Sequence, residues 1–231
     1  ISFRIKNGST SSSNTYRVVS GKTFGSFTIS ANTTSGYTFL ADDTIMTIYG
    51  NVYEFYCNGN GDKITGIDVN KASSSFTYLD CHGCNLSDFS TNHRYLRTIN
   101  LNDCNLNRLS ITESHYLQYL WIDSNNLTAK DITIGYTDET GTVMQLQEIS
   151  VVDNPFTTQD YNDLLCALPS REHTSAGKFT AVKTPQDTTA LIAVTLASAT
   201  MANMKNWIFH YWKNPNGSMF ITTTGTDVCM P

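Results

Sequence analysis

The chain has 231 residues, of which 40% are hydrophobic and 15% are charged, and its formal net charge is −5. The charged fraction is well below the ~25% of an average globular protein, and the acidic balance excludes the basic footprint of a nucleic-acid-binding domain. No apolar run reaches the roughly 18 residues of a membrane-spanning helix, so no membrane span is predicted. Residue 1 is Ile rather than Met, so we expect a processed form or a fragment, with a signal or lipoprotein peptide already removed.

Residues 1–50 are predicted to form a small cap of β-strands. The segments 26–30 and 44–49 are rich in β-forming residues and lie between Gly, Asn and Ser turns, and no helical period is present. The end of a repeat array exposes apolar side chains and an unpaired strand edge, so a cap is expected at that position.

An apolar ladder of the form L-x-x-L-x-L-x-x-N/C-x-L recurs five times, with copies that begin at Val52, Phe76, Leu96, Leu117 and Leu146. A repeat with this spacing and a period of roughly 20 to 29 residues builds a leucine-rich-repeat solenoid, in which equivalent strands stack in a parallel sheet. The short copies leave little room for a helix, so the return segments are predicted to be extended or 3₁₀. The insertion at 135–141 predicts a protruding loop.

Two positions of the ladder explain most of the cysteines: Cys84 and Cys104 stand at the Asn/Cys position, and Cys57 and Cys81 at the apolar position that Leu101 and Ile122 hold in other copies. Asn60, Asn125 and Asn154 occupy the Asn/Cys position in three copies, where a side-chain amide can bond backbone groups as the strand ends, and a thiol can do so only weakly. Four of the six cysteines stand at recurring core positions, where Cys packs as a small buried hydrophobe. These repeat cysteines, predicted to be reduced, are Cys57, Cys81, Cys84 and Cys104. A metal site is not predicted, because no second CxxC and no HxxxH motif supplies further ligands.

After residue 156 the pattern changes to alternating helices and strands. Thr157 and Asp160 form a predicted capping box for a helix at 157–168, which Pro169 ends. A strand at 178–183, a helix at 188–205, a closing strand at 207–212, a turn at 214–217 and an edge strand at 219–221 are predicted to follow. The predicted fold class is therefore α/β and β-rich: a cap at 1–50, a solenoid at 51–212 with strand–helix coils at its C-terminal end, and a tail or edge strand at 213–231.

Two phrases carry a family resemblance. Residues 76–86, Phe-Thr-Tyr-Leu-Asp-Cys-His-Gly-Cys-Asn-Leu, and residues 67–71, Ile-Asp-Val-Asn-Lys, resemble the repeat of bacterial leucine-rich-repeat proteins, common among secreted and surface proteins of Bacteroidetes and related to the internalin-like group. The resemblance implies a parallel sheet on a concave face, export to the cell surface and a binding role. It implies no catalytic residues and no cofactor.

The predicted ligand-binding surface is the concave face. Strand alternation directs every second residue outward, so equivalent positions form columns across the sheet. Solvent-facing Tyr and Trp offer rigid contact area at low entropic cost, as in interface hot spots, although they can equally stack on one another to support the sheet. The candidate binding residues are Tyr56, Tyr78, Asp80, His82, Asn100, Asn102, Tyr119, Trp121 and Asp123.

The leading interpretation is a non-catalytic secreted or cell-surface module that binds a protein or a glycan. A structural spacer within a larger surface protein, without a ligand of its own, is the alternative. A glycan hydrolase would need two carboxylates facing one sugar, for which Asp80 and Asp123 are the candidates, but an open sheet does not desolvate them. A bound cation is disfavoured, because hard cations take six or more oxygen ligands.

Overall fold

The computed structural model describes residues 1–135, 144–213 and 220–229. The fold is mixed α/β and rich in strands. The strands are β1 (Ser2–Lys6), β2 (Asn14–Ser20), β3 (Thr23–Ile29), β4 (Thr34–Thr38), β5 (Thr47–Tyr49), β6 (Glu54–Tyr56), β7 (Tyr78–Asp80), β8 (Asp88–Thr91), β9 (Thr98–Asn100), β10 (Arg108–Ile111), β11 (Tyr119–Trp121), β12 (Ile132–Ile134), β13 (Glu148–Ser150), β14 (Gly177–Val182) and β15 (Trp207–Tyr211). The helices are α1 (Thr158–Ala167), α2 (Thr188–Thr195) and α3 (Ala199–Lys205), with a 3₁₀ turn at Ala129–Asp131.

One nine-stranded sheet, here called the main sheet, organises the molecule in the order β15-β14-β13-β11-β9-β7-β6-β1-β4. Neighbouring strands from β6 to β15 are parallel, whereas β1 is antiparallel to both β6 and β4. The five copies of the sequence ladder supply β6, β7, β9, β11 and β13. Their ladder residues are in register, since Leu79 pairs with Ile99 and Leu120 pairs with Ile149. The predicted parallel sheet is confirmed.

The return segments form a second sheet of three parallel strands, β12-β10-β8. Leu109 lies opposite Phe89 on one side and Ile132 on the other, so the second apolar pair of the three middle copies also stacks in register. The prediction that these segments are extended or 3₁₀ is confirmed. Of the loop predicted at 135–141, only Gly135 is described; the rest of it lies outside the described residues, as does the turn predicted at 214–217.

The core lies between the two sheets and is filled by the ladder. Leu79, Ile99, Leu120 and Ile149 are fully buried, as are Leu101 and Ile122 two positions further on in their copies. The four repeat cysteines are buried in the same core and are free thiols, as predicted. The repeat therefore produces a continuous hydrophobic column, which no single copy can bury alone.

The Asn/Cys position ties each copy to the one before it. Asn125 Nδ2 donates to the carbonyl of Leu101 at 2.9 Å, and its Oδ1 accepts from the amides of Cys104 and Leu106 at 3.0 and 2.9 Å. Cys84 Sγ donates to the equivalent carbonyl of the preceding copy, that of Cys57, at 3.3 Å. A thiol thus replaces one donated bond of the amide, in agreement with the weaker bonding predicted for it.

A turn with positive φ follows every strand of the ladder, and the sequence analysis missed it. The residue two positions after the third apolar residue of the ladder adopts the left-handed conformation in all five copies, with φ between 54° and 73°. These residues are Gly59, Gly83, Asp103, Ser124 and Asp153. Gly, Asp and Asn tolerate this conformation better than other residues. The shared conformation lets each chain leave the sheet in the same direction.

The N-terminal strands cover the β6 side of the parallel strands. β1 lies against β6, with Arg4 opposite Tyr56 and Lys6 opposite Glu54. β2, between β3 and β5, forms a separate antiparallel sheet, and the Phe27 ring of β3 packs 6.2 Å from the ring of Phe3 in β1. The predicted strands of this segment are confirmed in β3 and, in part, in β5. The boundary at residue 50 stays a prediction.

The C-terminal part alternates strands and helices as predicted. The capping box of α1 is confirmed, since Thr157 accepts from the amide of Asp160 and the Asp160 carboxylate accepts from the amide of Thr157. β15 buries Trp207, Phe209 and Tyr211 on its core side. The closing strand predicted at 207–212 therefore packs an aromatic row against the end of the core.

The single helix predicted at 188–205 is wrong, because the chain breaks between α2 and α3. Ser198 caps α3 through a bond from the amide of Met201 to its Oγ at 3.1 Å. Gly225 pairs with this break, accepting from the amide of Ala199 at 2.8 Å and donating to the carbonyl of Ala197 at 2.9 Å. A segment distant in sequence thus takes up the backbone groups that a continuous helix would have used.

A disulfide joins Cys166 in α1 to Cys229, 63 residues further along the chain. The segment 220–229 that it ties down also bonds elsewhere: Phe220 forms an antiparallel bridge with His210, and Asp227 accepts from Asn162 at 2.9 Å. Of the edge strand predicted at 219–221, the described residues show this single bridge. The described C-terminal residues are held against α1, α3 and β15.

Candidate functional site

The candidate site is the side of the main sheet opposite the core, here called the open face. Its side chains form two rows in register across the strands. The first row contains Lys6, Glu54, Tyr78, Thr98, Tyr119, Glu148 and Lys178. The second row contains Arg4, Tyr56, Asp80, Asn100, Trp121, Ser150, Thr180 and His210. The columns predicted from alternation are thus confirmed for the five ladder strands.

The residues at the ends of both rows were not predicted from the sequence. Arg4 and Lys6 belong to them only because β1 pairs with β6, and no sequence signal predicts that antiparallel pairing. Lys178, Thr180 and His210 lie on β14 and β15, which extend the parallel sheet. Alternation of side chains along those two predicted strands was the sequence signal that could have placed these three residues on the open face.

The aromatic side chains on the open face form two separate pairs. The rings of Tyr56 and Tyr78 are 5.0 Å apart, and those of Tyr119 and Trp121 are 6.2 Å apart. All four side chains are partly exposed. Strand β9 lies between the pairs and carries Thr98 and Asn100 instead of aromatic residues. The predicted strip is therefore two aromatic platforms, called the Tyr56 pair and the Trp121 pair, separated by a strand of small polar side chains.

The charged groups beside the Tyr56 pair are paired with one another or with its rings. Lys6 forms an ion pair with Glu54 at 2.7 Å, and the Tyr56 hydroxyl donates to the same carboxylate. The Arg4 guanidinium lies 4.6 Å from the centre of the Tyr56 ring. Burial, followed by the hydrogen bond to Glu54, raises the pKa of Tyr56, so its phenol remains neutral at physiological pH.

The Trp121 pair is held in a similar way. The indole Nε1 donates to Glu148 Oε1 at 3.3 Å, and the same oxygen accepts from Lys178 Nζ at 3.0 Å. The Tyr119 hydroxyl donates to the side chain of Gln147 at 3.4 Å. These bonds fix the orientation of both rings before any ligand arrives, which lowers the entropic cost of binding.

A third row follows the ends of the strands and contains Asn58, His82, Asn102, Asp123 and Val152. Asn102 Oδ1 accepts from the amide of Asp123 at 2.7 Å. The Asp123 carboxylate accepts from Ser150 Oγ at 2.5 Å and from the amide of Val152 at 2.8 Å. Burial raises the pKa of Asp123. This carboxylate is engaged in holding the neighbouring copy.

Asp80 is predicted to face a ligand, but the structure buries it. Its residue is 6% exposed, and its Oδ1 lies 2.7 Å from His82 Nδ1 and also accepts from the amide of His82. The two candidate carboxylates, Asp80 and Asp123, stand on β7 and next to β11, with β9 between them. Each carboxylate accepts hydrogen bonds from its own or a neighbouring copy, so neither is an unengaged charge on the face.

The repeat cysteines form a buried thiol cluster beneath this face. Cys57 Sγ lies 3.2 Å from Cys81 Sγ, and Cys104 Sγ donates to the carbonyl of Cys81. Burial raises the pKa of Cys104 to about 12, so the thiol is protonated at neutral pH and is a poor nucleophile. Within the described ranges, no group of three or more His, Cys, Asp or Glu residues is arranged to hold a metal ion.

Comparison with known proteins gave no match to a family model, to a curated protein or to a solved structure. The resemblance to bacterial leucine-rich-repeat proteins therefore stays a prediction. None of the helices in the described part of the chain is long and apolar enough to cross a membrane.

Proposed function

We propose that residues 51–212 form a leucine-rich-repeat solenoid of an exported bacterial surface protein, and that its open face is a non-catalytic binding surface for a ligand at a cell surface. The repeat assignment is supported by the five ladder strands in register, by the stacked return strands and by the Asn/Cys bonds between copies. The recurring left-handed turn supports it as well.

Export is supported by the disulfide between Cys166 and Cys229. Structural disulfides form and persist in oxidising compartments outside the cytosol. The four repeat cysteines are compatible with such a compartment, because each is buried and cannot readily meet an oxidant or another protein.

The observation that carries the binding proposal is the pair of aromatic platforms on a solvent-facing sheet. The core side of the same strands is apolar, with Leu79 and Leu120 fully buried and Phe55 of β6 partly buried, so the four rings are not needed to fill the interior. Their orientation is fixed by bonds to Glu54, Glu148 and Gln147. Rigid, partly exposed Tyr and Trp side chains are the residues that dominate binding hot spots.

The test is a double substitution with a matched control. Tyr119→Ala with Trp121→Ala removes one platform, whereas Tyr95→Ala with Tyr116→Ala removes a stacked aromatic pair, 5.8 Å apart, at positions that directly precede the ladder copies starting at Leu96 and Leu117. Immobilised wild-type protein should retain material from bacterial or host surface extracts, the platform variant should lose it, and the control should keep it.

Retention by all three proteins would place binding elsewhere and refute the proposed role of the open face. The alternative function, a spacer without a ligand, gains support from the contact between Tyr56 and Tyr78, which can serve the sheet alone. A spacer would retain nothing from any extract, while its melting temperature would fall in the variants that lose a ring.

A further inference from the structure

The two aromatic platforms flank a gap whose width is set by the sheet. Thr98 of β9 lies in register between Tyr78 and Tyr119, and Asn100 lies between Asp80 and Trp121. Since neighbouring strands are about 4.8 Å apart, the backbones that carry the two platforms are separated by about 9.5 Å. The line that joins the two platforms runs across the strands, so an extended ligand that contacts both platforms must lie perpendicular to the strand direction.

The floor between the two platforms is polar but uncharged, since it is formed by Thr98 and Asn100. Asn100 is partly exposed between the platforms. Beyond the Trp121 pair, the second row continues with Ser150 and Thr180, and Thr180 Oγ1 is a buried oxygen without a hydrogen-bond partner. Unpaired buried polar atoms are rare and call for a specific explanation. Ser150 and Thr180 are buried, so the Asn100 amide is the group of this row that can reach a ligand, and an amide suits a ligand that presents neutral hydroxyl groups.

Most charged side chains of the face are engaged within it, and the Arg4 guanidinium lies over the Tyr56 ring. Lys6 and Lys178 are held by Glu54 and Glu148, and Asp80 is engaged by His82. To reach the two lysines an anionic polymer would have to break these ion pairs, and to reach Arg4 it would have to displace the guanidinium from the Tyr56 ring. A cationic peptide would have to break the same ion pairs to reach Glu54 or Glu148. The electrostatic complement of this face is a neutral ligand.

From these observations we infer that the ligand is a neutral glycan chain that lies across the strands, with sugar rings stacked on the Tyr56 pair and on the Trp121 pair. The inference rests on the proposed function of the open face and names its ligand class. The C–H faces of a pyranose ring pack on aromatic rings, and its hydroxyl groups bond the amide and hydroxyl side chains between them. A peptide that added a strand would need an open sheet edge, which this face does not present.

Affinity electrophoresis tests the inference directly. Native gels would contain one soluble polymer each: hydroxyethyl cellulose, galactomannan, mannan or dextran as neutral glycans, and polygalacturonate or heparin as anionic ones. Wild-type protein should be retarded by at least one neutral glycan. Tyr119→Ala with Trp121→Ala should weaken that binding at least tenfold, and Tyr95→Ala with Tyr116→Ala should leave it unchanged.

A second variant guards against loss of the fold. Asn100→Arg keeps both platforms and fills the gap between them, so it should also weaken retardation at least tenfold, with the circular dichroism spectrum of the wild type. Retardation by anionic polymers alone would overturn the glycan inference. So would retention of extract material that protease destroys and periodate leaves intact. Either result would leave the proposed binding function standing. Absence of retention from any gel or extract would overturn both.

Discussion

Replacement of Asn125 by Ala should destabilise the protein strongly, because the side chain is 5% exposed and bonds two copies together. The substitution removes the acceptor of the amides of Cys104 and Leu106 and the donor to the carbonyl of Leu101. A buried backbone group left without a partner costs about 1–3 kcal/mol. The two amides alone therefore predict a loss of roughly 2–6 kcal/mol in the free energy of unfolding.

The loss is large relative to the roughly 5–15 kcal/mol that stabilises a typical native protein. A chain of this size loses about 2–4 °C of melting temperature per kcal/mol, so Asn125→Ala should lower Tm by roughly 5–20 °C. Urea titration and thermal melts followed by circular dichroism measure both quantities. Asn126→Ala is the matched control, since Asn126 is the next residue and is exposed, and it should change stability by less than about 0.5 kcal/mol.

Asn125→Cys separates the amide's donated bond from its accepted bonds. The thiol can donate to Leu101, as Cys84 donates to the equivalent carbonyl of Cys57, but it leaves the two amides unpaired. It should be less destabilising than Ala by roughly 0.5–1.5 kcal/mol, the net value of one hydrogen bond. If Asn125→Ala is no more destabilising than Asn126→Ala, the asparagine bonds do not hold the copies together and the reasoning fails.

Three further predictions concern the cysteines and the acidic residue at the end of β11. Iodoacetamide should label none of the four repeat cysteines in the native protein and all four in urea, as mass spectrometry would show, because each is buried; labelling of the native protein would contradict the packing role. Cys229→Ser opens a link between residues 63 apart, and loop-closure entropy predicts a loss of about 4 kcal/mol in denaturant titration; an unchanged midpoint would show that the link adds nothing. Burial raises the pKa of Asp123 in the folded state, so the native state binds the carboxyl proton more tightly than the unfolded chain does. The stability that this group contributes at low pH is therefore lost as the pH rises through the raised pKa. Asp123→Asn abolishes this titration, so its Tm relative to wild type should increase as pH rises above the ordinary value of 3.8, and a constant difference would refute the shift.

Part of the open face could be predicted because alternation is local. Tyr78 and Tyr119 stand at one outward position of the ladder and Tyr56 and Trp121 at another, and the structure places all four on the solvent side of the main sheet. The partners of these rings could not be predicted, because Glu148 comes from the next copy and Arg4 from an antiparallel strand. Those partners hold the rings in place, since Glu148 accepts from the Trp121 indole and Arg4 lies over the Tyr56 ring.

The sequence by itself determined the ladder, and with it the parallel strands, the buried thiols and the bonding asparagines, because a repeated apolar spacing can be buried only when equivalent strands stack. The capping box of α1 was determined in the same way by residues three positions apart. Tertiary structure alone decided the break before Ser198, the link from Cys166 to Cys229 and the pairing of charges on the open face. Each of these joins residues distant along the chain, where no local period constrains which groups meet.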